Sequence, residues 1–338
     1  MHCLKIAFLI CLTAFPAQAS VGFRHFELPQ ANHRTLDVAV WYPSDTTGTP
    51  VVQGEDDSFI LQPALLDAAV APGRHPLVVL SHGYGGNWTN QDWLAADLVR
   101  QGYVVAAASH PGTTSSNMDP AIGGRLWERP RDVSALIDRL TTDPTWAGAI
   151  DAGRIAAIGH SLGGWTVTEL AGGRFDPDAF EKDCREQAEL ASCRGYVALG
   201  VGRDAASRQA LRQSLRDPRI KAAVTLDAAA TRGFDPASLA GIKIPMLVIA
   251  AGTPVRDLPA ALESRRMAGF LPAATTRYVE IADAVHYSFL PVCVAGAAKH
   301  LSGSNATICD DNGDRESIHR QTSTKIEHLL ARVFQAKD

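Results

Sequence analysis

One serine stands in a five-residue pattern with a glycine at each end. Residues 159–163 read Gly-His-Ser-Leu-Gly, so Ser161 is the centre of a G-x-S-x-G motif. An apolar run, Ile155–Ile158, precedes the motif, and a helix-like run follows it from Leu162. A sharp strand-to-helix turn lifts such a serine hydroxyl above the sheet, beside the positive end of the helix. The motif therefore predicts that Ser161 is a nucleophile.

A serine nucleophile needs a base, and His286 is the best-placed histidine after Ser161. It follows the last apolar run, in Val285-His286-Tyr287-Ser288-Phe289, where a loop can carry an imidazole over the nucleophile. This position respects the chain order serine, acid, histidine. The other histidines are less suitable, being surface or packing residues of the terminal helix or lacking an evident role: His319, His328 and His300.

Two aspartates between Ser161 and His286 follow strand-like runs and could orient the imidazole. Asp227 comes directly after Ala222–Leu226, whereas Asp257 lies several residues beyond the next run. The closer attachment favours Asp227, with Asp257 as the alternative. Asp283 is so near His286 in sequence that we expect it to shape the loop.

Two backbone N–H groups are needed to hold the oxyanion that forms during acyl transfer. The N–H of Leu162 is one candidate, because it follows the nucleophile. The second candidate is Tyr84, in the glycine-rich run His82–Gly86 after an apolar strand. A phosphate-binding loop is the alternative for this run, but no G-K-[ST] sequence follows. His110 and Trp88 also follow strands and either line the site or pack its loops.

Short apolar runs alternate with helical patterns along the chain. This rhythm predicts a mostly parallel sheet with helices on both faces. We expect one domain over residues 20–338, with residues 172–218 inserted as a cap. The predicted strands are Thr35–Tyr42, Leu77–Leu80, Val104–Ala108, Ile155–Ile158, Ala222–Leu226, Met246–Ala250 and Tyr278–Ile281, and the predicted helices Gln91–Gln101, Arg131–Leu140, Leu162–Ala171 and residues 319–335.

The first nineteen residues have the three parts of an export signal. A positive start containing Lys5 precedes an apolar run, and Ala17-Gln18-Ala19 is typical of a cleavage site. We therefore expect a signal peptide over residues 1–19 and a periplasmic or secreted protein. Four of the six cysteines would remain after cleavage, an even number that suits an oxidising compartment. The favoured pairing closes two short loops, Cys184–Cys193 and Cys293–Cys309, and a metal site is the weaker alternative.

The composition excludes several other classes of protein. The net charge is −4, and basic residues are spread along the chain, so we expect no nucleic-acid partner. No run after the signal is long and apolar enough for a transmembrane anchor. We expect a monomer that needs neither cofactor nor metal.

These motifs together resemble the secreted α/β-hydrolases grouped with platelet-activating factor acetylhydrolase and bacterial predicted dienelactone hydrolases. The resemblance runs through most of the expected mature chain. The runs that carry it are Leu80–Gly86, Ser109–Gly112, Arg129–Val133, the serine motif, Leu226–Ala228, Val285–Phe289 and, in the tail, Ile308–Asp310, Asp314-Arg315 and Ile318-His319.

The resemblance implies an ester hydrolase with Asp227 as the acid and the Tyr84 N–H as an oxyanion donor. The substrate would be a small-molecule or lipid-like ester. Dienelactone hydrolase itself uses a cysteine nucleophile, and the segment between Ser161 and Asp227 is longer than in the acetylhydrolases, so a phospholipid substrate does not transfer. A peptidase, an amidase, a polyester depolymerase and an inactive binding protein are the alternatives.

Overall fold

A computed structural model describes residues 19–31, 34–54, 56–253, 257–299, 301, 305–309 and 314–335. The expected signal peptide lies outside these residues except for its last one, Ala19. Among the described residues, no helix has the length and the apolar character to cross a membrane.

A ten-stranded sheet runs through the molecule, in the order β10-β9-β8-β7-β5-β6-β2-β1-β4-β3. Its six strands from β10 to β6 are mutually parallel, whereas β2 pairs antiparallel with both β6 and β1. The strands are β1 (Ser20–Pro29), β2 (Thr35–Ser44), β3 (Val51–Val52), β4 (Pro63–Leu66), β5 (His75–Ser81), β6 (Val104–Ser109), β7 (Ile150–His160), β8 (Ile220–Leu226), β9 (Met246–Ala251) and β10 (Thr276–Ile281).

Helices connect the parallel strands and cover both faces of the sheet. The helices are α1 (Asp92–Arg100), α2 (Pro120–Gly123), α3 (Glu128–Thr142), α4 (Pro144–Ala147), α5 (Leu162–Ala171), α6 (Pro177–Glu186), α7 (Ala191–Ala198), α8 (Ala205–Leu211), α9 (Pro236–Ala240), α10 (Ser264–Ala268) and α11 (Arg315–Phe334). Single 3₁₀ turns occur at Trp88–Gln91, Thr231–Gly233, His286–Phe289 and Ala297–Lys299. The mostly parallel sheet with helices on both faces confirms the predicted fold class.

The alternation of side chains along β5 divides the core between the two faces. Val78 and Leu80 pack in a cluster that includes residues of α1 and α11. Leu77 and Val79 point to the opposite face, where residues of α3 and α5 cover them. Because successive side chains of a strand point to opposite faces, both faces of β5 are buried and the strand sequence is continuously apolar.

The segment 172–218 contains the helices α6, α7 and α8. Its apolar side chains join the same cluster as Leu162 and Trp165 of α5; they include Phe180, Cys193, Tyr196 and Leu199. A disulfide between Cys184 and Cys193 links α6 to α7, and a second one joins Cys293 to Cys309. Both pairs are those favoured from the sequence.

Candidate active site

The backbone at Ser161 has a conformation that non-glycine residues rarely adopt. Its φ is 55° and its ψ is −119°, at the junction of β7 and α5. The Ser161 N–H donates to the Leu226 carbonyl at 3.0 Å, and the Gly164 N–H donates to the Ser161 carbonyl at 2.8 Å. These contacts hold the strained turn in place, and such strain is characteristic of functional sites.

The glycines on either side of the turn are required by close packing. A Cβ added at Gly159 would lie 2.0 Å from the Gly163 carbonyl oxygen, and one added at Gly163 would lie 1.8 Å from the Ser81 carbonyl oxygen. Both positions therefore admit only glycine, since real Cβ atoms do not approach backbone so closely. The motif glycines let α5 start tightly against β7 and β5.

The structure brings Ser161, His286 and Asp227 into one hydrogen-bonded row. Ser161 Oγ lies 3.0 Å from His286 Nε2, and His286 Nδ1 lies 2.7 Å from Asp227 Oδ2. With the imidazole neutral, Nδ1–H donates to the carboxylate and Nε2 accepts the serine proton. The three residues are 3–9% exposed, so the row is shielded but reaches the surface at Ser161 and His286.

Asp227 is fixed by neighbouring strand ends. Its N–H donates to the Ile249 carbonyl at 2.7 Å, and its Oδ1 accepts from the Ala251 N–H at 3.0 Å. Its φ of 44° turns the chain sharply after β8. Asp257, the alternative acid, is half-buried and pairs instead with Arg194 of α7, with 2.6 Å between the charged atoms.

Three side chains hold the backbone of the loop that carries His286. The Trp93 indole N–H donates to the Phe289 carbonyl at 3.0 Å, and His319 Nε2 donates to the Leu290 carbonyl at 2.9 Å. His160 Nε2 donates to the His286 carbonyl itself, also at 3.0 Å. The loop is therefore attached to α1, to α11 and to His160, the residue before Ser161.

Two backbone N–H groups near Ser161 are available to a ligand. Within the described part of the chain, neither the Tyr84 N–H nor the Leu162 N–H donates to a protein acceptor. Leu162 opens α5, where the first N–H groups have no intrahelical partner and the helix dipole is positive. A Cβ added at Gly83, beside Tyr84, would lie 3.1 Å from Ser161 Cβ, so the glycine-rich loop passes directly over the serine.

Among the described residues, no other sequence candidate is hydrogen-bonded to the side chains of the row. Trp88 donates to the Asp37 carboxylate at 3.0 Å and packs on Phe23. His328 and Asp283 are exposed, and His300 lies outside the described residues. His319 is a packing residue, as predicted, with its ring stacked 3.7 Å from that of Trp93.

A cluster of buried polar side chains lies behind the glycine-rich loop, and the sequence does not indicate a function for this cluster. We call its five members, each at most 2% exposed, the inner network: Ser81, His82, His110, Arg129 and Asp132. His110 belongs to it and does not line the site. The run Arg129–Val133 contributed to the family resemblance, but its spacing alone indicates no role for Arg129. Its contacts join residues up to 48 positions apart.

One group of side chains has the proximity that a metal ion needs, and it is chemically unsuited to one. Among the described residues, Asp183, Cys184 and Cys193 bring their ligand atoms within 4.8 Å of one another. Both cysteines form the disulfide, so no thiolate is available to coordinate a metal.

The architecture and the position of the serine turn define the α/β-hydrolase fold. The family model for serine aminopeptidase, S33, matches residues 73–181, which include the glycine-rich loop and the serine motif but neither Asp227 nor His286. A ferulic acid esterase from Streptomyces cinnamoneus superposes with a TM-score of 0.64 over 97% of this chain and 93% of that one, at 20% sequence identity. This likeness concerns the fold.

Curated relatives match a shorter part of the chain. A cutinase, est2, from Thermobifida alba is 34% identical over 101 residues, which are 29% of this chain and 31% of the cutinase. A bis(hydroxyethyl) terephthalate hydrolase from Streptomyces coelicolor is 31% identical over 106 residues, which are 31% of each protein. The chain thus spans about a third of the length of the curated relatives that it matches.

Proposed function

We propose that this protein is a serine hydrolase that cleaves carboxylic esters through an acyl-enzyme. The observation that carries the proposal is the row Ser161–His286–Asp227 beside the Tyr84 and Leu162 N–H groups, which have no acceptor among the described residues. An inactive binding protein would not need a strained serine, a correctly oriented base and a buried acid at once. Their combination supports an enzyme.

In the first half-reaction, Ser161 Oγ attacks the ester carbonyl carbon while His286 Nε2 takes the hydroxyl proton. The carbonyl oxygen becomes negatively charged, and the Tyr84 and Leu162 N–H groups donate to it. Asp227 keeps the imidazole in the required tautomer and stabilises its protonated form. His286 then gives the proton to the alcohol oxygen as the bond between that oxygen and the acyl carbon breaks.

In the second half-reaction, a water molecule takes the place of the departed alcohol. His286 removes a proton from the water, whose oxygen attacks the acyl carbon. The same two N–H groups hold the second oxyanion. When the bond between the acyl carbon and Ser161 Oγ breaks, the proton returns to the serine, and the carboxylic acid leaves.

Esters are preferred over amides as the substrate class for two reasons. The names of the similar proteins, a cutinase, a terephthalate ester hydrolase and a ferulic acid esterase, all denote ester cleavage. Two apolar side chains near the glycine-rich loop are also exposed: Tyr84 by 45% and Met118 by 44%. Such side chains can hold the aromatic or aliphatic part of a small ester or of a polyester chain.

We also propose the remaining features expected from the sequence. The two disulfides support activity in an oxidising compartment, in keeping with export by the N-terminal segment. Residues 20–338 would form one domain capped by residues 172–218. The finer grouping with the secreted platelet-activating factor acetylhydrolase-like enzymes rests on the motifs quoted above and stays a prediction.

Hydrolysis of p-nitrophenyl butyrate by Ser161→Ala and by Ser214→Ala tests the proposal. Ser214 is an exposed serine in the cap segment and serves as the matched control. We expect Ser161→Ala to lose at least ~10³-fold in kcat while Ser214→Ala keeps its activity. A parallel series with p-nitroanilides separates an esterase from a peptidase or amidase. Equal rates for Ser161→Ala and the unchanged protein would refute the proposal.

A further inference from the structure

The inner network lies behind the glycine-rich loop, and the mechanism above uses none of its side chains. Within it, Ser81 Oγ lies 3.0 Å from His110 Nε2, and His110 Nδ1 lies 3.0 Å from Asp132 Oδ2. The arrangement has the geometry of a second serine–histidine–aspartate row. Because Ser81 and His110 are completely buried, no substrate can reach it. Its position supports a different role, which is to hold the neighbouring glycine-rich loop in place.

Arg129 is the member of this network that contacts the most segments. Its guanidinium donates to the His82 carbonyl, to Thr113 Oγ1 at 2.6 Å and to Ser81 Oγ at 3.4 Å. Its Nε–H donates to Thr166 Oγ1 at 3.1 Å. One side chain of α3 therefore joins the end of β5, the loop after β6 and the helix α5.

These contacts extend to both proposed oxyanion donors. The His82 carbonyl lies two residues before the Tyr84 N–H, and the Thr113 carbonyl accepts from the Gly85 N–H at 2.9 Å on the other side of Tyr84. Thr166 Oγ1 in turn donates to the Leu162 carbonyl at 3.2 Å. Arg129 thus fixes the backbone before and after Tyr84 and also reaches Leu162 through one intermediate hydroxyl.

The hydrogen-bond partners of the Arg129 guanidinium are uncharged hydroxyl and carbonyl oxygens. No ion pair joins Arg129 to a carboxylate within the described residues, and Asp132 on the same helix binds Arg34 at 2.8 and 2.9 Å and His110 at 3.0 Å. Burial lowers the pKa of Arg129 to about 9 and also lowers the pKa values of His82 and His110. Burying a guanidinium that is bonded to neutral oxygens costs desolvation free energy, and this cost points to a function for Arg129.

We propose that Arg129 is a positioning residue for the oxyanion hole. It holds the Tyr84 and Leu162 N–H groups in the orientation that the transition state needs, and its charge adds to the positive potential that the oxyanion meets. A fixed cation in a low-dielectric interior acts over a longer distance than one in water. This inference rests on the proposed function, because the donors that it concerns are those of the esterase mechanism.

The test compares Arg129→Met and Arg129→Lys with Arg131→Met, a control on the same helix whose side chain is 48% exposed and pairs with Glu128. Each is measured with p-nitrophenyl butyrate, with rates expressed per active site titrated. We expect Arg129→Met to lose about 10²-fold in kcat with KM nearly unchanged, the scale of losing an oxyanion donor. Arg129→Lys should recover part of the loss, and Arg131→Met should behave as the unchanged protein.

A transition-state analogue supplies the measurement that a merely structural role would not move. Phenylboronic acid forms a tetrahedral adduct with a serine nucleophile, and its inhibition constant should rise in parallel with the fall in kcat/KM. Should Arg129→Met fail to fold, Thr166→Val and Thr113→Val each remove one acceptor of Arg129, together with the bond that the same hydroxyl donates to a backbone carbonyl. Each should lose about tenfold in kcat. Folded variants that keep kcat within threefold, with unchanged boronate affinity, would overturn the inference.

The two proposals fail in different ways. If Ser161→Ala retained full activity, the esterase mechanism would be wrong whatever the Arg129 variants did. If Ser161→Ala is inactive but the Arg129 and Thr166 variants match the unchanged protein, only the positioning role is wrong.

Discussion

His160 and His286 are joined by a hydrogen bond from the side chain of one to the backbone of the other. His160 Nε2 donates to the His286 carbonyl at 3.0 Å, and the two rings lie 4.8 Å apart. Burial lowers the pKa of His160 well below its usual range, so the ring is neutral and its Nε2 carries the donated proton. His160 therefore holds the backbone of His286, the proposed base.

Replacing His160 by Phe should therefore slow acylation without removing any group that the reaction uses. We expect a fall of about 10–100-fold in kcat/KM, because the loop loses the one side-chain bond made to the His286 backbone itself and a small displacement of a catalytic group is costly. His328→Phe, at an exposed position on α11, is the matched control. Stopped-flow release of p-nitrophenol measures the effect. A His160→Phe variant that acylates at the normal rate would contradict the positioning role.

The two candidate acids give different expectations when each is changed to asparagine. Asp227→Asn should lose about 10⁴-fold in kcat, because an amide at this position favours the wrong imidazole tautomer. Asp257→Asn should lose little, because the Asp257 carboxylate contacts Arg194 and not the imidazole of His286. Steady-state kinetics on both variants decides between them. A large loss at Asp257 alone would assign the acid to that residue.

Asp92 predicts a dependence of stability on pH. Burial raises the pKa of this carboxyl to about 7, against an ordinary value of 3.8, even though its Oδ2 accepts from the Gln62 N–H. A folded-state pKa above the unfolded one means that the folded protein binds the proton more tightly. Stability therefore falls as pH rises from about 4 to about 7 and stays reduced above that range.

Replacing Asp92 by Asn removes the titration, so the variant should gain in melting temperature over the unchanged protein between pH 4 and pH 7. Each unit of pKa shift corresponds to ~1.4 kcal/mol, so the free energy of unfolding of the variant, compared with that of the unchanged protein, should rise by a few kcal/mol over this pH range. Asp45→Asn, at an exposed position, controls for the loss of a surface charge. A difference between Asp92→Asn and the unchanged protein that is the same at every pH would exclude this account.

The parallel strands of the sheet could be predicted from the sequence because buried parallel strands are continuously apolar. Each of the seven predicted strands lies within a strand of the structure, and α5 has the predicted bounds. Three strands, β1, β3 and β4, are not among those predicted: β1 is buried through only part of its length, and β3 and β4 have only two and four residues. The short helices of residues 172–218 were also missed. Their apolar residues face α5 and one another, a pattern that single helices of seven to ten residues do not show clearly.

The candidate site also has a part that the sequence predicts and a part that only the structure shows. Ser161, Asp227 and His286 follow strands in a fixed order, so their chemistry is visible in the chain. Arg129 is on a helix among other charged residues, and its buried contacts arise only when four separate segments meet. No local pattern distinguishes it from Arg131, which is exposed.

Labelling with a fluorophosphonate, followed by mass spectrometry of the labelled peptide, tests the central claim most directly. Only a serine activated by its base and facing an oxyanion hole reacts readily with this reagent. We expect one label per molecule, on the peptide that contains Ser161, and no label after Asp227→Asn or His286→Ala within the same time. The absence of labelling in the unchanged protein, or a label on a different serine, would contradict the assignment of Ser161 as the nucleophile.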